Sequence, residues 1–181
     1  IFTSSCPASN FLIQKYYPEL IKYLAPVDTP MEAHAKMMRK AYGDDIRIVI
    51  VGPCLAGHKL AAITQNGKLI DAYLNFEELE RWMESENVKI TREEDHDTIM
   101  VSNYRARYFD ESGGVFRALK TDIKYHYMLW NIDGAGRIKS TFKDLNDSIR
   151  GYFMELMGCQ NSCLGGPIMR LAGKDTFPGK D

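Results

Sequence analysis

Cys6, Cys54, Cys159 and Cys163 are the residues of this 181-residue chain best suited to chemistry. Their thiolates are soft ligands that select zinc or iron–sulfur clusters. Structural zinc sites draw on two close Cys/His pairs, each with about two to four intervening residues. Cys159 and Cys163 form one such pair inside ELMGCQNSCLGG (155–166), whereas Cys6 and Cys54 stand alone. That pattern suits a cluster built from distant segments better than a zinc ribbon. Gly158, Gly165 and Gly166 would let backbone amides approach cluster sulfides. Spacing alone leaves three readings open: a cluster, a zinc site, and unrelated core thiols, which are common in folded proteins. Disulfides fit poorly, because no secretory context accompanies the cysteines.

The elements around these cysteines predict how they could meet. FLIQKYYPELIKYL (11–24) has helical spacing, and the helix begins just after Cys6 and kinks or restarts at Pro18. Thr29, Pro30 and Gly43 predict a second helix with N-cap, first-turn proline and C-cap. Ile46–Cys54 is a β-branched, nearly continuous apolar run, the pattern of a strand buried on both faces, with Cys54 at its C-terminal end. LIDAYLNFEELERWMESEN predicts a short strand and then a helix capped near Asn75. A polar stretch through residue 112 reads as a surface excursion, and SGGVFRALKTDI as a glycine turn opening a helix. YHYMLWNIDG reads as a strand, AGRIKSTFKDLNDSI as a helix, and GYFMELMGC as a strand delivering Cys159. Strands alternating with helices predict an α/β fold with a mostly parallel sheet flanked by helices. Ligands in such sheets gather beyond the strands' C-terminal ends, where Cys54 and Cys159 fall.

Composition narrows the function classes. Apolar residues make up 45% and charged residues 26%, with a formal net charge of -1, so electrostatics give no argument for a nucleic-acid or membrane partner. No apolar stretch approaches the roughly 20 residues of a spanning helix, and IFTSSCPASNF lacks a basic signal-peptide region; the expected location is cytoplasmic. Residues 1–181 are expected to form a single domain, and an incomplete one, since the chain opens inside an apparent strand-to-loop junction.

Three motifs carry a resemblance. TSSCPAS (3–9), GPCLAGHK (52–59) and ELMGCQNSCLGG (155–166) resemble, in order, the signature motifs of FeFe-hydrogenase catalytic domains, and ESGGVF (111–116) resembles that family's glycine turn. The resemblance spans the chain and covers the C-terminal larger part of the family domain. It implies an iron-hydrogenase large-subunit-like fold. It also implies a 4Fe-4S cubane ligated by Cys6, Cys54, Cys159 and Cys163, with Cys163 bridging to a diiron subsite to complete the H-cluster. Gly113, Gly114 and Gly165 would then be cofactor-binding, and Met157 matches the family's third-motif Met. Several positions depart. Ser5 replaces the proton-relaying cysteine, and a hydroxyl titrates far from neutral pH. Ser9 replaces a Trp and Gly52 a Met. Gly57 stands where a Lys pairs with a cyanide ligand, with His58 and Lys59 beside it, and Leu60 replaces a Glu of the proton path.

Intact cubane ligands beside eroded diiron-pocket residues resemble the family's sensory subgroup. That resemblance implies H2 oxidation and proton reduction, or H2 and redox sensing. Its expected partners are H2 and protons, a missing N-terminal portion, and signalling or ferredoxin-like domains. Ser5, His58, Lys59 and Met157 are the candidate catalytic residues. A cubane-only redox sensor or scaffold and a zinc-stabilised α/β domain are the rival readings. His34 reads as a surface or packing histidine, His96 and His126 carry no assigned role, and TREEDHD reads as a solvated charge run. Trp82 and Trp130 read as packing residues, and Glu155 as either a hydrogen-bonding neighbour of the cluster or a strand-end cap.

Overall fold

A computed structural model describes residues 1–65, 69–89, 105, 108–119, 126–145 and 149–169. Helix α1 (Pro7–Tyr16) starts one residue after Cys6, with Pro7 preset for the first turn; a 3-10 helix (Pro18–Tyr23) restarts the chain at Pro18. Helix α2 (Pro30–Tyr42) has the predicted ends. The Thr29 hydroxyl accepts from Glu32 N–H at 3.3 Å and the Glu32 carboxylate accepts from Thr29 N–H at 3.0 Å, a reciprocal capping box. Gly43 closes this helix at φ 88°, a conformation that favours glycine.

Strand β1 (Val49–Val51) leads through Cys54 into helix α3 (Ala56–Gln65). Strand β2 (Ala72–Leu74) leads into helix α4 (Phe76–Ser85), whose N-terminus carries a second capping box between Asn75 and Glu78. Helix α5 (Gly114–Ala118) is a single short turn. Strand β3 (Met128–Asp133), helix α6 (Ala135–Asp144) and strand β4 (Tyr152–Met157) complete the described elements, with a final 3-10 turn over Ser162–Gly165.

Among the described residues the strands form two parallel pairs. β1 pairs with β2 in the register Val49 to Ala72, and β3 pairs with β4 from Met128 opposite Tyr152 to Asp133 opposite Met157. Phe2 extends the second pair as a parallel bridge to both Met154 and Leu24. This mixed α/β architecture with parallel strands flanked by helices is the fold the sequence predicts.

Two cores hold it. Phe2, Ile13, Ile132, Ile138, Phe142 and Leu156 pack with Met154 around β3–β4, and Phe2 stacks on Phe142 with ring centroids 5.5 Å apart. Ala35, Ala61, Ile70 and Tyr73 form the second core, between α2, α3 and β2. β4 is buried over its last four residues and β3 over its last two, so burial deepens toward the C-terminal ends.

Three expectations need correction. The run Ile46–Cys54 is a three-residue strand, and Val49 and Val51 are 49% and 42% exposed rather than buried on both faces. The only strand pairing described for β1 is with β2, so its apolar content exceeds its cover. Trp82 and Trp130 are likewise 56% and 40% exposed, because they stand on faces of α4 and β3 that turn away from the two cores. His126 lies in a turn two residues ahead of β3 instead of within a strand. His96 and residues 91–97 lie outside the described residues, as does most of the excursion through residue 112.

Candidate metal centre

The four cysteines come from three loops, and all four line one cavity of about 370 Å³ at the C-terminal ends of the strands. Cys6 is the residue before α1, held there by local hydrogen bonding. The Ser9 hydroxyl reaches back to the Cys6 carbonyl at 2.9 Å and lies 3.1 Å from the Leu156 carbonyl, tying the first cysteine loop to β4. Gly158 N–H donates to Cys6 Sγ at 3.3 Å. A side chain at Gly158 would place Cβ 2.7 Å from the Ala8 methyl, so this amide can approach the sulfur only from a glycine.

Cys54 sits in the turn between β1 and α3, where its carbonyl accepts from Gly57 N–H at 3.0 Å. Its own N–H donates to the Tyr73 hydroxyl at 2.8 Å. Cys159 and Cys163 flank a loop whose Asn161 and Ser162 both have left-handed φ angles, 58° and 57°. Asp133, at the end of β3, stabilises that strained loop by accepting from Asn161 N–H at 2.9 Å. The same carboxylate accepts from Arg137 at 2.5 Å. Cys163 N–H donates to the Asp110 carbonyl at 3.1 Å, bringing the segment ahead of α5 against the site.

The cavity opposes thiol ionisation. Burial, and then the charge of Cys6, push the Cys54 thiol up; Cys159 is raised by burial and by Cys6 and Cys54. Cys163 is pushed up to about 12 by burial, then by the other three cysteines and Asp110. Four thiols converging in an apolar space cannot all ionise without positive charge between them, which a bound metal would supply.

A single ion fits poorly. Zn–S bonds of about 2.3 Å in a tetrahedron put sulfurs about 3.8 Å apart. Among the described residues no three His, Cys, Asp or Glu side chains are arranged to hold one metal ion. A polynuclear cluster offers each thiolate its own metal atom, so its ligands need not converge on a point. The polar lining agrees with a guest of that kind. Ser5 and Ser162 both line the cavity, and both hydroxyl oxygens are buried without a hydrogen-bond partner. Two orphaned hydroxyls beside four thiols fit a sulfur-rich occupant.

The remaining candidates divide. Ser5 and Met157 line the cavity with the cysteines. His58 and Lys59 do not. His58 Nε2 lies 3.0 Å from Glu78 Oε2, and the Lys59 ammonium sits 4.2 Å from the Phe11 ring centroid. Gly113, Gly114 and Gly165 also lie off the cavity. Gly113 takes φ 76° at the start of α5; a Cβ at Gly114 or Gly165 would fall within 2 Å of the backbone oxygen of Tyr108 or Gln160. These three glycines serve tight turns here.

Glu155 has a different place from either reading. Fully buried in β4, it accepts from Phe116 N–H at 3.2 Å and meets the amides of residues 113–115, so it caps α5. Burial raises its pKa above the usual carboxylate value.

Sequence reasoning missed Tyr73, Asp133 and Ser162. Asp133 and Ser162 carried only faint signals: an acid at a strand end and a serine beside a cysteine. Tyr73 carried none, since its relation to Gly57 and Cys54 exists only in three dimensions.

A parallel α/β fold that gathers thiols from distant loops onto one cavity defines the class of protein. The sequence model of the family described as "Iron only hydrogenase large subunit, C-terminal domain" matches residues 1–167, and the chain belongs to that family. Among solved structures it is similar to an FeFe-hydrogenase concerned with stepwise H-cluster assembly, at 17% identity over 92% of this chain and 61% of that one, TM-score 0.63. A second concerns FeFe-hydrogenase oxygen inactivation through modification and degradation of the H cluster 2Fe subcluster, at 18% identity, 93% and 60% coverage, and TM-score 0.66. A third is the apo FeFe-hydrogenase of Chlamydomonas reinhardtii in a cysteine-to-histidine variant, at 18% identity, 95% and 64% coverage, and TM-score 0.64. Likeness at these identities establishes the fold, and the chain spans about three fifths of the length of the structures it matches. Among the described residues no helix is long and apolar enough to cross a membrane.

Proposed function

We propose that this chain is a cytoplasmic FeFe-hydrogenase-type iron–sulfur domain, holding a 4Fe-4S cubane on Cys6, Cys54, Cys159 and Cys163 and serving H2 or redox sensing. The observation that carries this reading is the convergence of all four cysteines on one cavity. A bound cluster supplies one-electron exchange and, with a diiron subsite, the interconversion of two protons and two electrons with H2. The chain's own residues do the rest. Four thiolates hold, Gly158 N–H donates to the Cys6 sulfur, and Ile50, Val51, Phe109 and Met157 keep the space apolar. Ser5 stands on the cavity wall as a hydroxyl, which donates and accepts hydrogen bonds yet releases its proton far less readily than a thiol.

A cubane-only protein is the second reading, favoured by a specific observation. His58 and Lys59, the groups nearest in sequence to Cys54 that could serve a second metal centre, are committed to Glu78 and Phe11. Anaerobic reconstitution separates the two. Iron near six and inorganic sulfide near four per chain, with infrared bands from CO and cyanide, would support the full H-cluster; iron and sulfide near four each without those bands support the cubane alone. Stoichiometric zinc in a colourless protein would refute both. Electrons, and signalling or ferredoxin-like modules, are the expected partners of either form.

A further inference from the structure

We infer that Tyr73 is a hydrogen-bond donor to sulfur held in the thiol cavity. The inference rests on the cluster-binding reading and names a residue that reading does not use. Tyr73 lies on β2, away from all three cysteine motifs, yet it lines the cavity and is 5% exposed. Its ring is fixed from three sides. His58 meets it edge-on with ring centroids 5.1 Å apart. The Cα of Gly57 lies so close that a Cβ there would fall 2.3 Å from a ring carbon, and a Cβ at Gly52 would come 3.0 Å from the hydroxyl.

The hydroxyl oxygen accepts from Cys54 N–H at 2.8 Å, which leaves the phenol's own hydrogen to donate. Among the described residues no acceptor takes that hydrogen. The thiols of Cys54 and Cys163 and the Glu78 carboxylate all act on the phenol electrostatically, and of these only the two thiols line the cavity with Tyr73. A buried donor with its acceptor position facing a thiolate cavity is spent on whatever sulfur occupies it. Donation to a cluster sulfur favours the reduced, more negative state and raises the reduction potential.

The full-length protein, reconstituted anaerobically with ferrous iron and sulfide, tests this. Wild type is compared with Tyr73→Phe, which keeps the ring and removes the O–H, and with 3-fluorotyrosine at position 73, which keeps the shape and strengthens the donor. Iron and sulfide per chain, melting temperature, and midpoint potential by EPR-monitored titration are read together. The expected result is equal iron content, a lower potential for Tyr73→Phe and a higher one for 3-fluorotyrosine. A fully loaded variant of either kind with unmoved potential overturns the inference. If Tyr73→Phe loads less iron, the 3-fluorotyrosine protein decides alone. A wild-type chain that takes up no iron refutes the proposed function instead.

Discussion

Gly57→Ala is the sharpest probe of how the Cys54 turn is built. The new methyl would lie 2.3, 2.4 and 2.6 Å from three Tyr73 ring carbons. Ordinary carbon contacts are about 3.5–4.0 Å, so the ring must retreat by roughly 1 Å or more. It has little room, because Tyr73 packs with Ala35, Ala61 and Ile70 and holds Cys54 N–H. Overpacking costs about 1–3 kcal/mol, and the displaced hydrogen bond about 0.5–1.5 kcal/mol more. The sum is a destabilisation of roughly 2–4 kcal/mol. In a Tyr73→Ala background the clash is gone, and alanine is the better helix former by up to about 1 kcal/mol. Urea unfolding of the wild type, both single variants and the double variant yields the coupling, expected at roughly 2–4 kcal/mol. Equal costs for Gly57→Ala in both backgrounds, within about 0.5 kcal/mol, would refute the packing described.

Other perturbations have distinct readouts. Asp133→Ala leaves the part-buried Asn161 N–H without its acceptor at the start of a left-handed turn, and should cost about 0.5–1.5 kcal/mol and reduce iron uptake; Asp133→Asn, which keeps one acceptor oxygen, should lose less. Cys163, with its thiol pushed up to about 12, should alkylate at pH 8 far more slowly in the apo protein than an exposed cysteine, and mass spectrometry of partly labelled protein reads this directly. Glu155 has a folded pKa above its unfolded one, so its contribution to stability is present in acid and is lost as pH rises through the folded value. Glu155→Gln should therefore flatten the fall in melting temperature on going from acid toward neutral pH, and an unchanged slope would count against the buried cap. Thr29→Ala removes one half of the α2 capping box and should cost about 1 kcal/mol in urea unfolding.

Local chemistry was readable in the sequence wherever it is decided within a few residues. Thr29, Pro30 and Gly43 delimit α2 because caps and φ preferences act over a single turn. Asn75 and Glu78 mark α4 for the same reason. The placement of Cys54 and Cys159 past strand ends follows from the parallel α/β alternation. What failed depends on the partners of a face. Val49 and Val51 have the composition of a buried strand, but composition does not say what covers them. His58 and Lys59 neighbour Cys54 in sequence, yet helical rotation along α3 carries them to Glu78 and Phe11. Glycine was informative in kind: Gly114 and Gly165 are needed for close backbone approach to Tyr108 and Gln160.

The hydrogen bond from Gly158 to the Cys6 sulfur joins residues 152 positions apart. The cavity is thus among the most non-local features of the chain, and loop-closure entropy makes such features late to form. During synthesis Cys6 waits for β4 before it has neighbours to share a cluster with. Premature iron would meet isolated thiols rather than a site. Cofactor insertion is in this sense a reading of completed topology: a chain that fails to bring its far ends together never becomes a competent recipient.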